Sequence, residues 1–191
     1  MRYSVTAVVV SYNREDLLAE CLAGIDRQTR QPDRLIIIDN ASTDGALIVA
    51  RRFAARTAIP TRVVALPRNV GGAGGFAAGI ALAVEPLMQP LGPHALGAGY
   101  RMGGYEPQRG LVHDVWLMDD DTIPKAKALE ALLEAARLPL DPRPRVLASR
   151  QLLPNGLPHP TTAFVNPTDP RHPFLWLRLR PRYRPIRWAL F

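Results

Sequence analysis

Hydrophobic positions along the chain follow two alternating patterns. Short runs of consecutive apolar residues predict strands buried on both faces, and stretches with apolar residues every three or four positions predict helices. The predicted strands are Val5–Val10, Leu35–Ile38, Arg62–Leu66 and Val112–Met118, with a short fifth strand at Val146–Ala148. Asn13 is placed to cap the helix after the first strand, and a helix over about 76–85 is expected behind a glycine-rich loop.

Strands that alternate with helices imply right-handed βαβ units, so the sequence predicts an α/β fold with a mainly parallel sheet flanked by helices. We assign residues 1–166 to this domain, with an irregular Gly/Pro-rich loop at 86–110. Residues 167–191 form either a basic aromatic tail or the start of a further half of the protein. Ligands of such sheets bind beyond the carboxyl ends of the strands. Four polar or glycine-rich segments follow the predicted strands: Ser11–Arg14, Asp39–Asp44, Arg68–Gly75 and Asp119–Thr122.

Charge and cysteine content narrow the class of protein. The net charge of the 191 residues is +7, but residues 171–191 hold six arginines and no acid, so the remaining 170 residues carry a net charge of only +1. A basic tail on a nearly neutral domain does not indicate a nucleic-acid-binding fold. The single cysteine, Cys21, lies at an apolar helical position and indicates core packing in a reducing compartment. Val5–Val10 is too short to span a bilayer, so we expect a cytoplasmic protein.

The acidic run Asp119-Asp120-Asp121 directly follows an apolar strand. Three adjacent carboxylates repel one another unless a cation joins them, and carboxylate oxygens suit Mg²⁺ or Mn²⁺. The alternative is a solvated acidic turn. The position of the run beside three other strand-end segments favours a metal site.

The other strand-end segments offer groups that bind nucleotides. Tyr12 could stack on a base, and Asp39 could accept the imide N–H of a uracil. The alternatives are core packing for Tyr12 and an Asx-type turn for Asp39. Four glycines at 71–75 allow close approach of a ligand, with a helix N-terminus behind them, although a loop that packs closely on a helix would need the same glycines.

Taken together, these segments resemble family 2 glycosyltransferases of the GT-A fold. The resemblance covers roughly Val5 to Arg150, and the glycine-rich segment with the acidic run is most similar to actinobacterial galactofuranosyl- and rhamnosyltransferases. The matching stretches are Val8–Arg14, Asp39–Gly45, Arg68–Gly72 and Trp116–Asp121. The resemblance implies an inverting, metal-dependent transfer of sugar from a nucleotide-diphosphate sugar, UDP-linked, to a cell-wall or polysaccharide acceptor.

The resemblance also implies a role for each matching position. Tyr12 and Asp39 would hold the base, Asp44 and Arg68 would lie near the donor, and Asp119 and Asp121 would bind the Mn²⁺ or Mg²⁺ that bridges the diphosphate. The implied nucleotide-sugar-binding residues are Ser11, Tyr12, Asn13, Arg14, Asp39, Asp44, Arg68, Asn69, Gly71, Gly72, Asp119 and Asp120.

Members of this family carry a general base after the metal motif, and no acidic residue beyond Asp121 lies in a matching motif. We therefore expect a truncated homologue that lacks its catalytic base. A polyprenyl-linked or glycan acceptor and the inner face of the plasma membrane are the implied partners. Three alternatives remain at this point: a nucleotide-sugar-binding fragment without turnover, a nucleotidyltransferase, and a basic peripheral membrane or nucleic-acid module, which rests on the arginine-rich tail alone.

Overall fold

A computed structural model describes residues 2–84 and 111–138, together with positions 147, 152, 153, 155 and 157. The chain divides into two compact units, Met1–Ala126 and Lys127–Phe191. All the predicted site residues lie in the first unit. The loop 86–110, most of the predicted fifth strand and the tail 167–191 lie outside the described residues.

The first unit is built on a four-stranded parallel sheet with the strand order β3-β2-β1-β4. Its strands are β1 Arg2–Ser11, β2 Arg34–Asp39, β3 Thr61–Ala65 and β4 Leu111–Asp119. Its helices are α1 Glu15–Asp26, α2 Ala46–Ala54 and α3 Gly71–Val84, and the second unit contains α4 Ala128–Ala136. The predicted α/β class with a mainly parallel sheet is therefore confirmed. None of the described helices is long and apolar enough to cross a membrane.

Alternate residues of the central strands serve two hydrophobic cores. Ala7 and Val9 of β1 face α1 and α2, whereas Val8 and Val10 face α3. This two-sided burial explains why β1 and β2 are apolar at successive positions rather than at every second one. Cys21 is fully buried in the core on the α1 side, as predicted, and burial raises the pKa of its thiol to about 12.

Helix α3 begins five residues earlier than expected, because Gly71–Gly75 form its first turns rather than a loop. A Cβ atom on Gly75 would lie 2.6 Å from a methyl carbon of Val10, and one on Gly79 would also collide with β1. These glycines bring the helix backbone directly against the strand. Helical glycines and loop glycines look alike in a sequence, and packing decides between them.

The predicted cap of α1 is wrong. Arg14 occupies the N-cap position without a side-chain cap hydrogen bond. Asn13 has a left-handed backbone with φ of 53°. Its side-chain oxygen instead accepts hydrogen bonds from the backbone and hydroxyl of Thr43, at 2.7 and 3.3 Å. A tertiary contact between two loops has replaced the local cap.

Candidate functional site

The carboxyl ends of β2, β1 and β4 meet at one edge of the sheet. Ser11 is in register with Asp39, and Val10 is in register with Asp119. The chain continues the pairing past the strands, since the Asn40 N–H donates to the Ser11 carbonyl at 2.8 Å. Three of the four predicted segments therefore start side by side at this edge. The fourth follows β3, and the contacts of Asn40 described below join it to β2.

Asp120 is the central group of this edge. Its carboxylate is 3% exposed and accepts hydrogen bonds at Oδ2 from the Ser11 hydroxyl at 2.9 Å and the Tyr12 N–H at 3.2 Å. Its other oxygen, Oδ1, accepts a hydrogen bond from Arg14 at 3.3 Å. The middle carboxylate of the acidic run thus fixes the loop that follows β1.

The flanking carboxylates face different surroundings. Asp121 is exposed and forms an ion pair with Arg14 at 2.6 Å. Asp119 is half-buried, and burial, with the charges of Asp121 and Asp120, raises the pKa of its carboxyl, while Arg14 acts in the opposite direction. The neighbouring carboxylates thus act on Asp119 in the direction expected from the sequence.

Asp39 is a buried acid with one oxygen unused. The residue is 3% exposed, and its Oδ2 accepts a hydrogen bond from the Ser42 N–H at 3.3 Å. Its Oδ1 is buried and has no hydrogen-bond partner in the described part of the chain. The Asx-type turn that we considered is therefore present, but it satisfies only one of the two oxygens.

Asp44 joins the starts of two helices. One of its carboxylate oxygens accepts a hydrogen bond from the Ala46 N–H at 3.0 Å, in the first turn of α2. The other accepts one from the Glu15 N–H at 3.1 Å, at the first residue of α1. Carboxylates at helix N-termini are favourable, so this geometry gives Asp44 a role in holding the two loops together.

Asn40 was not predicted from the sequence, although it holds the segment after β3 in place. Its side-chain nitrogen donates to the side-chain oxygen of Asn69 at 2.9 Å and to the Gly71 carbonyl at 3.2 Å. Its side-chain oxygen accepts from the Val70 N–H at 2.9 Å, and the residue is 2% exposed. The signal available in the sequence was an asparagine directly after Asp39, at the end of a predicted strand.

The remaining predicted residues lie on the exposed rim. The Tyr12 side chain is 43% exposed, so the core-packing alternative is wrong. Arg68 and Asn69 are exposed, and Gly71 adopts a left-handed backbone with φ of 73°. Apart from their chain neighbours, no described residue places an atom within 4 Å of a Cβ built on Gly71 or Gly72, so packing within the described part of the chain does not explain these two glycines.

A cavity and the arrangement of metal-ligating side chains also bear on the location of the site. A cavity of about 500 Å³ lies between α1 and α2, and none of the predicted site residues lines it. Among the residues that the structure describes, no three His, Cys, Asp or Glu side chains form a preassembled metal cage. A site that leaves most of the metal shell to waters and substrate phosphates would have this property.

A parallel α/β sheet with acidic and glycine-rich segments at its carboxyl edge defines the class of nucleotide-binding α/β domains. Residues 6–91 match the family model Glycosyl transferase family 2. The chain thus carries a glycosyltransferase family 2 domain, with the α/β sheet expected of the GT-A fold.

Similar proteins include two galactofuranosyltransferases named GlfT1. The chain is 36% identical over 137 residues to the GlfT1 of Mycobacterium tuberculosis H37Rv. This aligned stretch covers 71% of the chain and 36% of the relative. It is 34% identical over 133 residues to the GlfT1 of Mycolicibacterium smegmatis. Here the aligned stretch covers 69% of the chain and 35% of the relative. The chain therefore spans about a third of the length of these relatives.

Two solved structures show partial likeness to this chain. Mannosyltransferase PcManGT from Pyrobaculum calidifontis, in complex with GDP-Man and Mn²⁺, is 29% identical over 44% of this chain and 25% of that chain, with a TM-score of 0.40. S. aureus TarS 1–349 in complex with UDP-GlcNAc is 17% identical over 69% of this chain and 32% of that chain, with a TM-score of 0.47.

Proposed function

We propose that this chain is the nucleotide-sugar-binding half of a metal-dependent, inverting glycosyltransferase. Its donor would be a UDP-linked sugar, and its acceptor a cell-wall or polysaccharide glycan, polyprenyl-linked or free. The family 2 domain and the two mycobacterial relatives support the transfer of sugar from a nucleotide donor. Because those relatives are much longer, acceptor binding and the complete reaction would need residues that they have in addition.

The unused oxygen of Asp39 is the observation that carries this proposal. A buried carboxylate oxygen without a hydrogen-bond donor has an uncompensated desolvation free energy, and a ligand N–H would supply the missing hydrogen bond. Uracil presents one N–H between two carbonyls, whereas the corresponding ring nitrogen of cytosine is an acceptor. Asp39 would therefore select uridine nucleotides, and the exposed ring of Tyr12, which follows the residue in register with Asp39, would stack on the base.

Asp119 and Asp121 would hold the divalent cation, either Mn²⁺ or Mg²⁺. Their oxygens are hard ligands. Burial and then the charges of Asp121 and Asp120 raise the pKa of the Asp119 carboxyl, and a cation would offset those charges. The donor set therefore fits such a metal. When bound, the metal would act as a Lewis acid on the departing nucleotide diphosphate.

The rim would bind the rest of the donor. Arg68 and Asn69 lie at the start of α3, where backbone N–H groups and the helix dipole favour an anion. The open space at Gly71 and Gly72 would let a diphosphate approach the backbone. Ser11 and Asp120 would support this contact surface from beneath, since both are buried.

The reaction itself would need a further group. Inversion requires a base that takes the proton of the acceptor hydroxyl, typically worth about 10²–10⁴ in rate. We place that base outside this chain, so the chain alone would bind donor without transferring sugar at an ordinary rate. The arginine-rich stretch 174–191 lies outside the described residues, and we propose that it binds anionic lipid at the inner face of the plasma membrane.

Calorimetric titration tests the nucleotide assignment. Wild-type chain with Mn²⁺ should bind UDP more tightly than CDP, and Asp39→Asn should weaken UDP by about tenfold while leaving inorganic pyrophosphate unchanged. Asp16→Asn, at an exposed position of α1, is the matched control. Equal losses for UDP and pyrophosphate in Asp39→Asn would contradict base recognition by this residue.

A nucleotidyltransferase is the other enzyme class weighed from the sequence. Such an enzyme would place its glycine-rich loop directly after the first strand. Here β1 ends at Ser11 and is followed by Tyr12, Asn13 and Arg14, and the glycines lie inside α3. This placement favours the glycosyltransferase. An assay for hydrolysis of UDP-sugar separates a slow enzyme from a binding fragment, because only the enzyme would release free sugar.

A further inference from the structure

Arg14 lies between the loop after β1 and the acidic run. Its Nη1 atom is 2.6 Å from Oδ2 of Asp121 and 3.3 Å from Oδ1 of Asp120. Its backbone is fixed at the start of α1, where its carbonyl accepts a hydrogen bond from the Leu18 N–H at 2.9 Å. The side chain is 48% exposed, so the guanidinium can move while the backbone stays in place.

The charge balance of the acidic run depends on this one side chain. Within residues 2–84 and 111–138, the ion pairs of Asp120 and Asp121 are both made with Arg14. One positive charge therefore pairs with two carboxylates, and on Asp121 it occupies an oxygen that would otherwise be open to a metal.

A divalent cation and the Arg14 guanidinium would repel each other if both were bound to Oδ2 of Asp121. Both are positive, and a metal at carboxylate distance would lie within a few ångströms of Nη1, where like charges repel strongly. The contact with Asp121 is an exposed ion pair, which is typically worth only about 0.2–1 kcal/mol. A cation with twice the charge would therefore displace Arg14 from Asp121.

We propose that Arg14 is a positioning residue that neutralises Asp121 until a divalent cation displaces it, and that the released guanidinium then binds the diphosphate of the donor. The inference rests on the proposed function, since it takes Asp119 and Asp121 as the metal ligands. A guanidinium pairs with phosphate oxygens through two parallel hydrogen bonds, and its anchored backbone keeps it beside the metal. Metal binding would thereby create part of the diphosphate site.

The first half of the inference is tested by Mn²⁺ binding without nucleotide, measured from the electron paramagnetic resonance signal of free Mn²⁺. Arg14→Gln should bind Mn²⁺ about threefold more tightly than wild type, because the competing ion pair is gone. Arg27→Gln makes the same charge change at the other end of α1, about 20 Å away, and should bind Mn²⁺ as wild type does.

The second half is tested by calorimetry with UDP, inorganic pyrophosphate and uridine at saturating Mn²⁺. Arg14→Gln should weaken UDP and pyrophosphate by about tenfold and leave uridine unchanged, because only the diphosphate would contact the guanidinium. Arg14→Lys keeps the charge but loses the paired hydrogen bonds, so it should lie between wild type and Arg14→Gln in both measurements. It also keeps the test valid if the glutamine variant does not fold.

The outcomes separate this inference from the proposed metal site. Mn²⁺ affinity that is unchanged or weaker in both Arg14 variants, while Asp121→Ala loses Mn²⁺ binding, would overturn the role of Arg14 and leave the metal site standing. Diphosphate affinity that is unchanged in both variants would also overturn that role. If Asp121→Ala binds Mn²⁺ as tightly as wild type, the metal assignment and the inference are both wrong.

Discussion

The Ser11 hydroxyl donates a hydrogen bond of 2.9 Å to the Asp120 carboxylate, and both side chains are buried. This contact joins residues 109 positions apart and couples the end of β1 to the turn after β4. Hydrogen bonds to a charged group are worth more than neutral ones, and a buried charge that loses a donor is costly. The pair therefore stabilises the edge of the sheet that carries the candidate site.

Removal of this hydroxyl should be costly. We expect Ser11→Ala to lower the free energy of unfolding by about 1.5–3 kcal/mol in urea denaturation. Ser4→Ala, the same change on β1 far from the site, is the control and should cost much less. In a double-mutant cycle with Asp120→Ala, the loss from Ser11→Ala should largely vanish. Additive losses would show that the two side chains do not stabilise each other.

Asn40 should tolerate neither apolar nor acidic replacement. Asn40→Ala removes three hydrogen bonds, so we expect a loss of about 2–3 kcal/mol in the free energy of unfolding. Asn40→Asp keeps the shape but turns a carboxylate towards the Asn69 side-chain oxygen and the Gly71 carbonyl, both of which are acceptors. The aspartate should therefore be at least as destabilising as the alanine in urea titration. A near-neutral Asn40→Asp would contradict the hydrogen-bond network described here.

Ala41 is strained, since its φ of 64° lies in the left-handed region. Glycine adopts this conformation without a Cβ clash, so Ala41→Gly should raise the free energy of unfolding by about 0.5–1 kcal/mol. Ala19→Gly, an exposed position inside α1, should instead lower it by about 1 kcal/mol. The same substitution is thus expected to act with opposite signs at two sites. Thermal and urea unfolding of both variants would check this reversal.

Asp114 should make stability depend on pH. One of its oxygens is buried without a partner in the described part of the chain, and burial raises the pKa of the carboxyl, with His113 acting in the opposite direction. A carboxyl whose folded pKa is raised binds its proton more tightly in the folded state, so its ionisation destabilises the fold as pH rises above its ordinary value of 3.8.

We therefore expect Asp114→Asn to raise the melting temperature more at about pH 7.5 than at about pH 4.5, because the amide carries no charge to desolvate. Asp16→Asn, at an exposed position, should change it little at either pH. A gain of equal size at both pH values would assign the effect to packing rather than to ionisation.

The sheet could be predicted from the sequence because β1 and β2 are apolar on both faces. Burial on both faces leaves a continuous run of Val and Ile that few other structures require. The start of α3 could not be predicted in this way. Four of the five residues at 71–75 are glycines, which show no hydrophobic periodicity, and the contact of Gly75 with Val10 joins positions that are distant in the sequence.

The sequence predicted which segments form the candidate site, but not the contacts between their side chains. The position of Asp39 and Asp119 at strand ends follows from the run of apolar residues before each, and the structure confirms that position. The contacts of Asp44, Asn40 and Arg14 could not be predicted, because each joins loops that are about 30 to 100 residues apart. The local sequence pattern shows which residues lie at the end of a strand. The assembled sheet is needed to show which of these residues contact one another.

The parallel sheet also sets a length. Asp39 ends β2 and Asp119 ends β4, and β1 lies between them. Neighbouring strands are about 4.8 Å apart, so the backbones of these two acids are separated by about 10 Å across the sheet. A single molecule that contacts both carboxylates must bridge that interval, which a mononucleoside diphosphate in an extended form can do and a free base or a lone phosphate cannot. Under the proposed assignment, the spacing of the strands would therefore select ligands by their length as well as by the groups that they present.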